Sequence, residues 1–165
     1  MDPLHPACES LNLLIGTWRG EGHGDYPTID PFDYLEEVTF GHIGKPFLTY
    51  SQKTRHRDTN QPLHAEFGYW RPMTDGTLEV ILAHPTGIAE TTEGTLSLSE
   101  NGKLLIKLTT THIGLTATAK EVTQVARTIT ATPEILHYTL DMAAVDHPLQ
   151  RHLEATLIKT DGSQS

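Results

Sequence analysis

A chain of 165 residues with 12 Lys+Arg against 21 Asp+Glu has room for one domain, over 1–165, and carries a formal charge of −9 at pH 7. That charge repels phosphate backbones and anionic headgroups, so neither nucleic acid nor a membrane is an expected partner. Cys8 is the single cysteine, which excludes an intramolecular disulfide, a Cys-rich zinc knuckle and a CxxCH haem attachment. A lone thiol suits a reducing compartment, and the longest apolar run near the start, Leu13–Ile15, is too short for a signal segment, so the cytoplasm is the expected location.

The predicted elements are those of a sheet. Thr occurs 24 times and the β-branched residues number 39, a composition that favours strands. No stretch sustains the i, i+3, i+4, i+7 apolar pattern for three turns, whereas period-2 alternation recurs from end to end. In chain order, a short helix or turn over Pro6–Leu14 precedes ten strands near Gly16–His23, Asp33–Gly41, Phe47–Arg57, Leu63–Pro72, Thr77–His84, Ile88–Leu98, Lys103–His112, Glu121–Ala131, Ile135–Val145 and Leu149–Lys159. Short separators such as IGKP, MTDG and ENG carry turn chemistry, and short turns make antiparallel neighbours. The expected fold is all-β: a ten-stranded antiparallel up-and-down barrel of the calycin kind, in which closure removes exposed edges. A β-sandwich is the competing architecture. Ten strands enclose more than side chains alone can fill, so a ligand cavity is expected. The ordered core should span about 10–160, with a polar tail after it.

Ten histidines are many for so acidic a chain. Three stand among apolar neighbours: His64 in PLHAEFGYWRP, His84 in VILAHPTGIAE and His152 in HPLQRHLEATLIK. The plain alternative for each is an imidazole that satisfies a backbone carbonyl. A hydrolytic zinc site has no HExxH to support it, and only a long-range set such as His64, His84 and His152 would serve. No GxSxG elbow is present, and Cys8 lies outside the strand pattern. The glycine-rich GTWRGEG opens a strand and not a helix, so it lacks the helix N-terminus of a phosphate loop. Gly16, Trp18, Gly20 and Gly22 read instead as structural, the glycines permitting tight coiling and Trp18 plugging one end of the interior.

GxWxGxG at Gly16–Gly22, followed by YPTIDPFDYLEEVTFGHIGKPFLTYSQKT, PLHAEFGYWRP, LAHPTGIAE, TAKEV and HPLQRHLEATL, resembles the nitrobindins over nearly the whole chain. The resemblance implies a ten-stranded barrel similar to fatty-acid-binding proteins, one b-type haem per chain held mainly ferric, reversible binding of nitric oxide, and isomerisation of peroxynitrite to nitrate. The family's PLQxH pattern falls on Pro148–His152, which implies His152 as the axial ligand of the haem iron and the residue on which catalysis depends. His64, His84, Val122 and Met142 match its distal and flanking positions, and Thr39 and Lys120 further lining, with Lys120 as a cation for a propionate. Oligomeric state, monomer or homodimer, is left open.

Strict alternation resists one part of this. On a regular strand from Leu149, Leu153, Ala155 and Leu157 share the face of Leu149, and His152 points the other way with Gln150 and Glu154. Either the approach after Pro148 is irregular and aims His152 inward, or the axial assignment fails. The leading expectation is a haem-dependent isomerase; the other classes are a non-enzymatic carrier of an apolar ligand and a nitric oxide sensor.

Overall fold

The computed structural model describes residues 2–160. Ten strands run β1 (Gly16–Tyr26), β2 (Ile29–Gly41), β3 (Leu48–His56), β4 (Pro62–Pro72), β5 (Thr77–His84), β6 (Ile88–Leu98), β7 (Leu104–Leu115), β8 (Val122–Ala131), β9 (Ile135–Ala144) and β10 (Gln150–Thr160). Each pairs antiparallel with its chain neighbours, and β1 pairs with β10 to close the barrel. The ten-stranded barrel expected from the period-2 pattern is therefore the fold, and no open sandwich edges exist among the described residues. The expected polar tail lies outside the described residues beyond Thr160, and the N-terminal segment is ordered from residue 2.

The largest departure from the sequence-based strands is the β1–β2 hairpin, which runs on to a tight turn at Pro27–Thr28. Gly24, Pro27 and Pro31 read locally as breakers. The register shifts between Gly24 and Tyr26, and Pro31 lies beyond the first β2–β3 pair, Tyr34 with His56. There β2 has one neighbour only, so the missing N–H costs no ladder bond on the β3 side.

Up-and-down connectivity divides the barrel into two rims. Odd strands end, and even strands begin, at the rim that carries Tyr26, Ile29, His64, His84, Val122 and His152. The opposite rim is stoppered by a 3₁₀ helix over Pro6–Leu14, which has Pro6 at its start and His5 Nδ1 accepting from the Ala7 N–H at 3.2 Å. Cys8, Leu11 and Leu14 are fully buried there against Trp18. The Trp18 indole N–H donates to Leu14 O at 2.8 Å, and Lys159 Nζ lies 5.1 Å from the ring centroid. Cys8, outside the strands, is thus packed in the core; burial pushes its thiol pKa up, away from reactivity.

Candidate functional site

The inward side chains leave a cavity of about 670 Å³, open at the rim opposite the 3₁₀ helix. That lies within the roughly 300–1,000 Å³ of small-molecule and cofactor sites. Apolar side chains including Phe32, Val38, Phe40, Leu82, Leu140 and Met142 form much of its wall.

His152 and Leu153 both line this cavity, although they are consecutive. The β9–β10 register shifts between Arg151 and Leu153, so one extra residue is accommodated where alternation would have sent His152 outward. This bulge resolves the parity conflict. It also sets the ring's chemistry. His152 Nδ1 lies 3.0 Å from Asp25 O, on the extended end of β1; a carbonyl only accepts, so Nδ1 carries the proton and Nε2 holds the lone pair. The Tyr26 ring packs edge-on against His152 with centroids 5.3 Å apart. The Tyr26 hydroxyl accepts from the Ala144 N–H at 2.9 Å, tying β1 to the end of β9. Burial lowers the His152 pKa, which keeps the imidazole neutral below the usual histidine range.

β4 and β5 are on the wall opposite β10, with β5 five strands away in either direction round the barrel. They carry a polar cluster that sequence reading found only in part. His64 Nε2 and His84 Nδ1 are 3.2 Å apart, and His84 Nδ1 is 3.2 Å from Glu66 Oε2. Glu66 Oε1 accepts from the Tyr50 hydroxyl at 2.8 Å. Behind His84, Glu90 Oε1 pairs with Arg127 Nη2 at 2.6 Å. A second carboxyl, Glu36, accepts from the Tyr138 hydroxyl at 2.6 Å and from Gln52 Nε2 at 3.2 Å. Desolvation raises the Glu36 pKa to about 7. Desolvation acts on Glu66 too, but His64, Arg127, His84 and Tyr50 together hold it at about 2.

Of the residues singled out from sequence, His64, His84, Lys120, Val122, Met142 and His152 line the cavity. Thr39 does not. It lies on the outer face of β2, between the inward Val38 and Phe40, with its hydroxyl 3.2 Å from that of Thr17. Phe47 and Phe67 are outside as well: Phe67 is 61% exposed, and Phe47 packs edge-on against the exposed Tyr69. Phe32 and Phe40 take their place. Trp18 and its glycines are at the closed rim and on the β1–β10 seam, where they shape the barrel without meeting the cavity. Glu36, Glu66, Glu90 and Arg127 were missed. Each stands in phase with inward apolar residues, Glu36 with Tyr34 and Val38, Arg127 with Val125 and Ile129, so a charge on the apolar side of an alternating strand was the available signal.

Residues 7–159 match the family described as THAP4-like, heme-binding beta-barrel domain. The chain belongs to this family of haem-binding barrels. It is 52% identical over 154 residues to a peroxynitrite isomerase of Nocardia farcinica, covering 93% of this chain and 91% of that one. It is 53% identical over 154 residues to peroxynitrite isomerase 2 of Mycobacterium avium, covering 93% and 95%. The crystal structure of Rv2717c from M. tuberculosis superposes with a TM-score of 0.93 at 47% identity, over 96% of this chain and all of that one. The S-type phycobiliprotein lyase CPES of Guillardia theta, with a TM-score of 0.62 at 10% identity, shares the fold alone.

The site's own chemistry fits the family's cofactor. A half-buried imidazole with its Nδ1 proton committed to a carbonyl and a free Nε2 lone pair has the donor set of a haem-iron ligand. The apolar wall suits a macrocycle, and Lys120 stands exposed at the cavity mouth, where a carboxylate group of the cofactor would meet it.

Proposed function

We infer that this chain binds one haem b through His152 and isomerises peroxynitrite to nitrate, with nitric oxide as a second small ligand. The observation that carries the reading is the bulge at His152, which turns the ring into the cavity and fixes its tautomer through Asp25 O. Two relatives of similar length and about half-identical sequence bear the isomerase name. Bound there, haem would supply the iron chemistry that converts peroxynitrite to nitrate. His152 holds the cofactor by its one directed bond, while Val122, Leu140 and Met142 exclude water around it. Lys120, exposed at the mouth, would offer its ammonium to a carboxylate of the cofactor. His64 and His84 stand on the opposite wall and shape the space open to the incoming ligand. No general base is required for this isomerisation. The unpaired Cys8 suits a reducing compartment such as the cytoplasm.

A carrier of fatty acyl chains is disfavoured by the same cavity, since an acyl tail reaching inward would lie against the Glu36 and Glu66 carboxyls with no polar group to offer them. The test is titration of purified protein with ferric haem, followed by peroxynitrite decay with nitrate quantified. Wild type should show a saturable Soret shift at one equivalent and accelerated decay. His152→Ala should lose the directed coordination and the acceleration, whereas His84→Ala should retain haem with altered ligand rates. Retention of both spectrum and activity by His152→Ala, with their loss in His84→Ala, would move the axial role to the opposite wall.

A further inference from the structure

The wall facing His152 holds three lone-pair atoms that converge on one point. His64 Nε2, His84 Nδ1 and Glu66 Oε2 are separated by 3.2, 3.2 and 3.7 Å. Donor atoms at ~2.1 Å around a tetrahedral metal are ~3.4 Å apart, and an ion ~2.1 Å from all three would stand ~0.8 Å out of their plane, close to the offset of a tetrahedral apex. The atoms behind the triangle are arranged to keep it open toward a cation. His84 Nε2 faces Glu90 Oε1 at 3.5 Å, so its proton is drawn to that edge and the Nδ1 lone pair is left for the cavity. Glu66 Oε1 is engaged by Tyr50, which orients Oε2. Glu90 is in turn gripped by Arg127. Without a cation, the proton between the two imidazoles must serve His64, His84 and Glu66 together.

The charges also favour a cation. Glu66 and Glu90 bring two carboxylates to one guanidinium, Arg127, whose Nη2 stays 3.9 Å from Glu66 while bonding Glu90. Gln52 Oε1 and Thr92 Oγ1 are buried acceptors without a partner among the described residues, and both residues line the cavity.

We propose that His64, Glu66 and His84 form a second metal site, which binds one divalent transition cation of the Zn²⁺ or Co²⁺ type and leaves its fourth position open to the cavity. Two imidazoles and one carboxylate suit ions of borderline softness, and three protein ligands with an open position are the pattern of reactive and not structural zinc. The site does not use His152, so it stands or falls apart from the haem reading.

The experiment uses the full chain without haem, titrated with Zn²⁺ by calorimetry and with Co²⁺ by visible absorption. One equivalent should bind saturably, and Co²⁺ should show the intense d–d bands of a four-coordinate ion. Glu66→Gln and His84→Gln should each weaken binding by at least ~100-fold, and Glu90→Gln by ~10–100-fold through His84. His137→Ala, at an exposed histidine paired with Glu154, should change nothing. Thermal melts report whether each variant is folded, and Zn²⁺ should raise the wild-type midpoint but not that of Glu66→Gln. His152→Ala should bind Zn²⁺ as wild type does, even where it no longer coordinates haem. Absence of saturable binding in folded wild type, or equal binding by Glu66→Gln and wild type, would overturn the proposal and leave a proton-sharing cluster.

Discussion

Glu36 and Glu66 line one cavity, yet their environments shift them in opposite directions. Glu36 is desolvated, and Tyr138 and Gln52 offset that cost only partly, so its folded pKa stands at about 7 against 4.5. The native state therefore keeps a proton that the unfolded chain has lost, and stability falls as pH rises from about 4.5 to about 7, by on the order of 3 kcal/mol. Glu36→Gln should abolish that fall, seen as a urea midpoint independent of pH across this window. Glu66 behaves inversely. Held at about 2 by its cationic neighbours, it contributes stability that is present above pH 4.5 and lost, again on the order of 3 kcal/mol, as pH drops toward 2. Glu66→Gln should flatten the acid limb of the stability profile and leave the neutral limb in place.

His152 has a pH consequence for function. Its folded pKa is depressed by burial, so the neutral imidazole persists below pH 6.5 and protonates only at more acid pH. Haem retention followed by the Soret band should persist into the range where an ordinary histidine is already protonated and fall only at more acid pH, and the retention curve should end before far-ultraviolet dichroism reports loss of the barrel. Coincidence of the two curves would mean that unfolding, not ligand protonation, releases the cofactor.

Among elements, the extended β1–β2 hairpin and the β10 bulge act as one device, since the hairpin supplies Asp25 O and the Tyr26 ring while the bulge supplies His152. Tyr26→Phe removes the hydroxyl that bonds the Ala144 N–H. It should cost about 1–2 kcal/mol for the unpaired amide, and it should weaken haem affinity by loosening the end of β9 beside His152. At the other rim, the 3₁₀ helix and Trp18 form a stopper. Trp18→Ala removes a fully buried ring and its bond to Leu14 O; a loss of about 3–5 kcal/mol is expected from chemical denaturation.

For the whole molecule, the decisive contact is the β1–β10 seam, because without it the sheet has two open edges. At Gly20, paired with Leu157, a side-chain carbon would strike the backbone carbonyl of Thr156. Backbone cannot swing aside as a side chain can, so Gly20→Ala should destabilise by roughly 1–3 kcal/mol. Opened edges would also promote self-association, measurable by light scattering. Gly22, where the added carbon meets the Tyr34 ring instead, should tolerate alanine better if that ring can shift.

Period-2 alternation, turn residues and the excess of β-branched side chains were sufficient to determine ten antiparallel strands and closure, because those signals are local and repeat along the chain. Motif order was sufficient to indicate the haem-binding family and to single out His152. What alternation could not decide was the direction of His152, since a bulge is created by pairing with β9 and leaves no mark in the residues themselves. The hairpin's full length was hidden for a related reason: Gly24 and Pro31 act as breakers locally, yet Gly24 is held by ladders on both sides and Pro31 lies beyond the pairing with β3, where its missing N–H costs nothing. Thr39 was misplaced because motif matching carries no parity, whereas the barrel assigns each residue a face. The cluster of Glu66, His64, His84, Glu90 and Arg127 needed closure most of all. Those five residues come from β4, β5, β6 and β8, and a buried charge in one strand becomes interpretable only when the tertiary structure brings its counter-charge across the cavity.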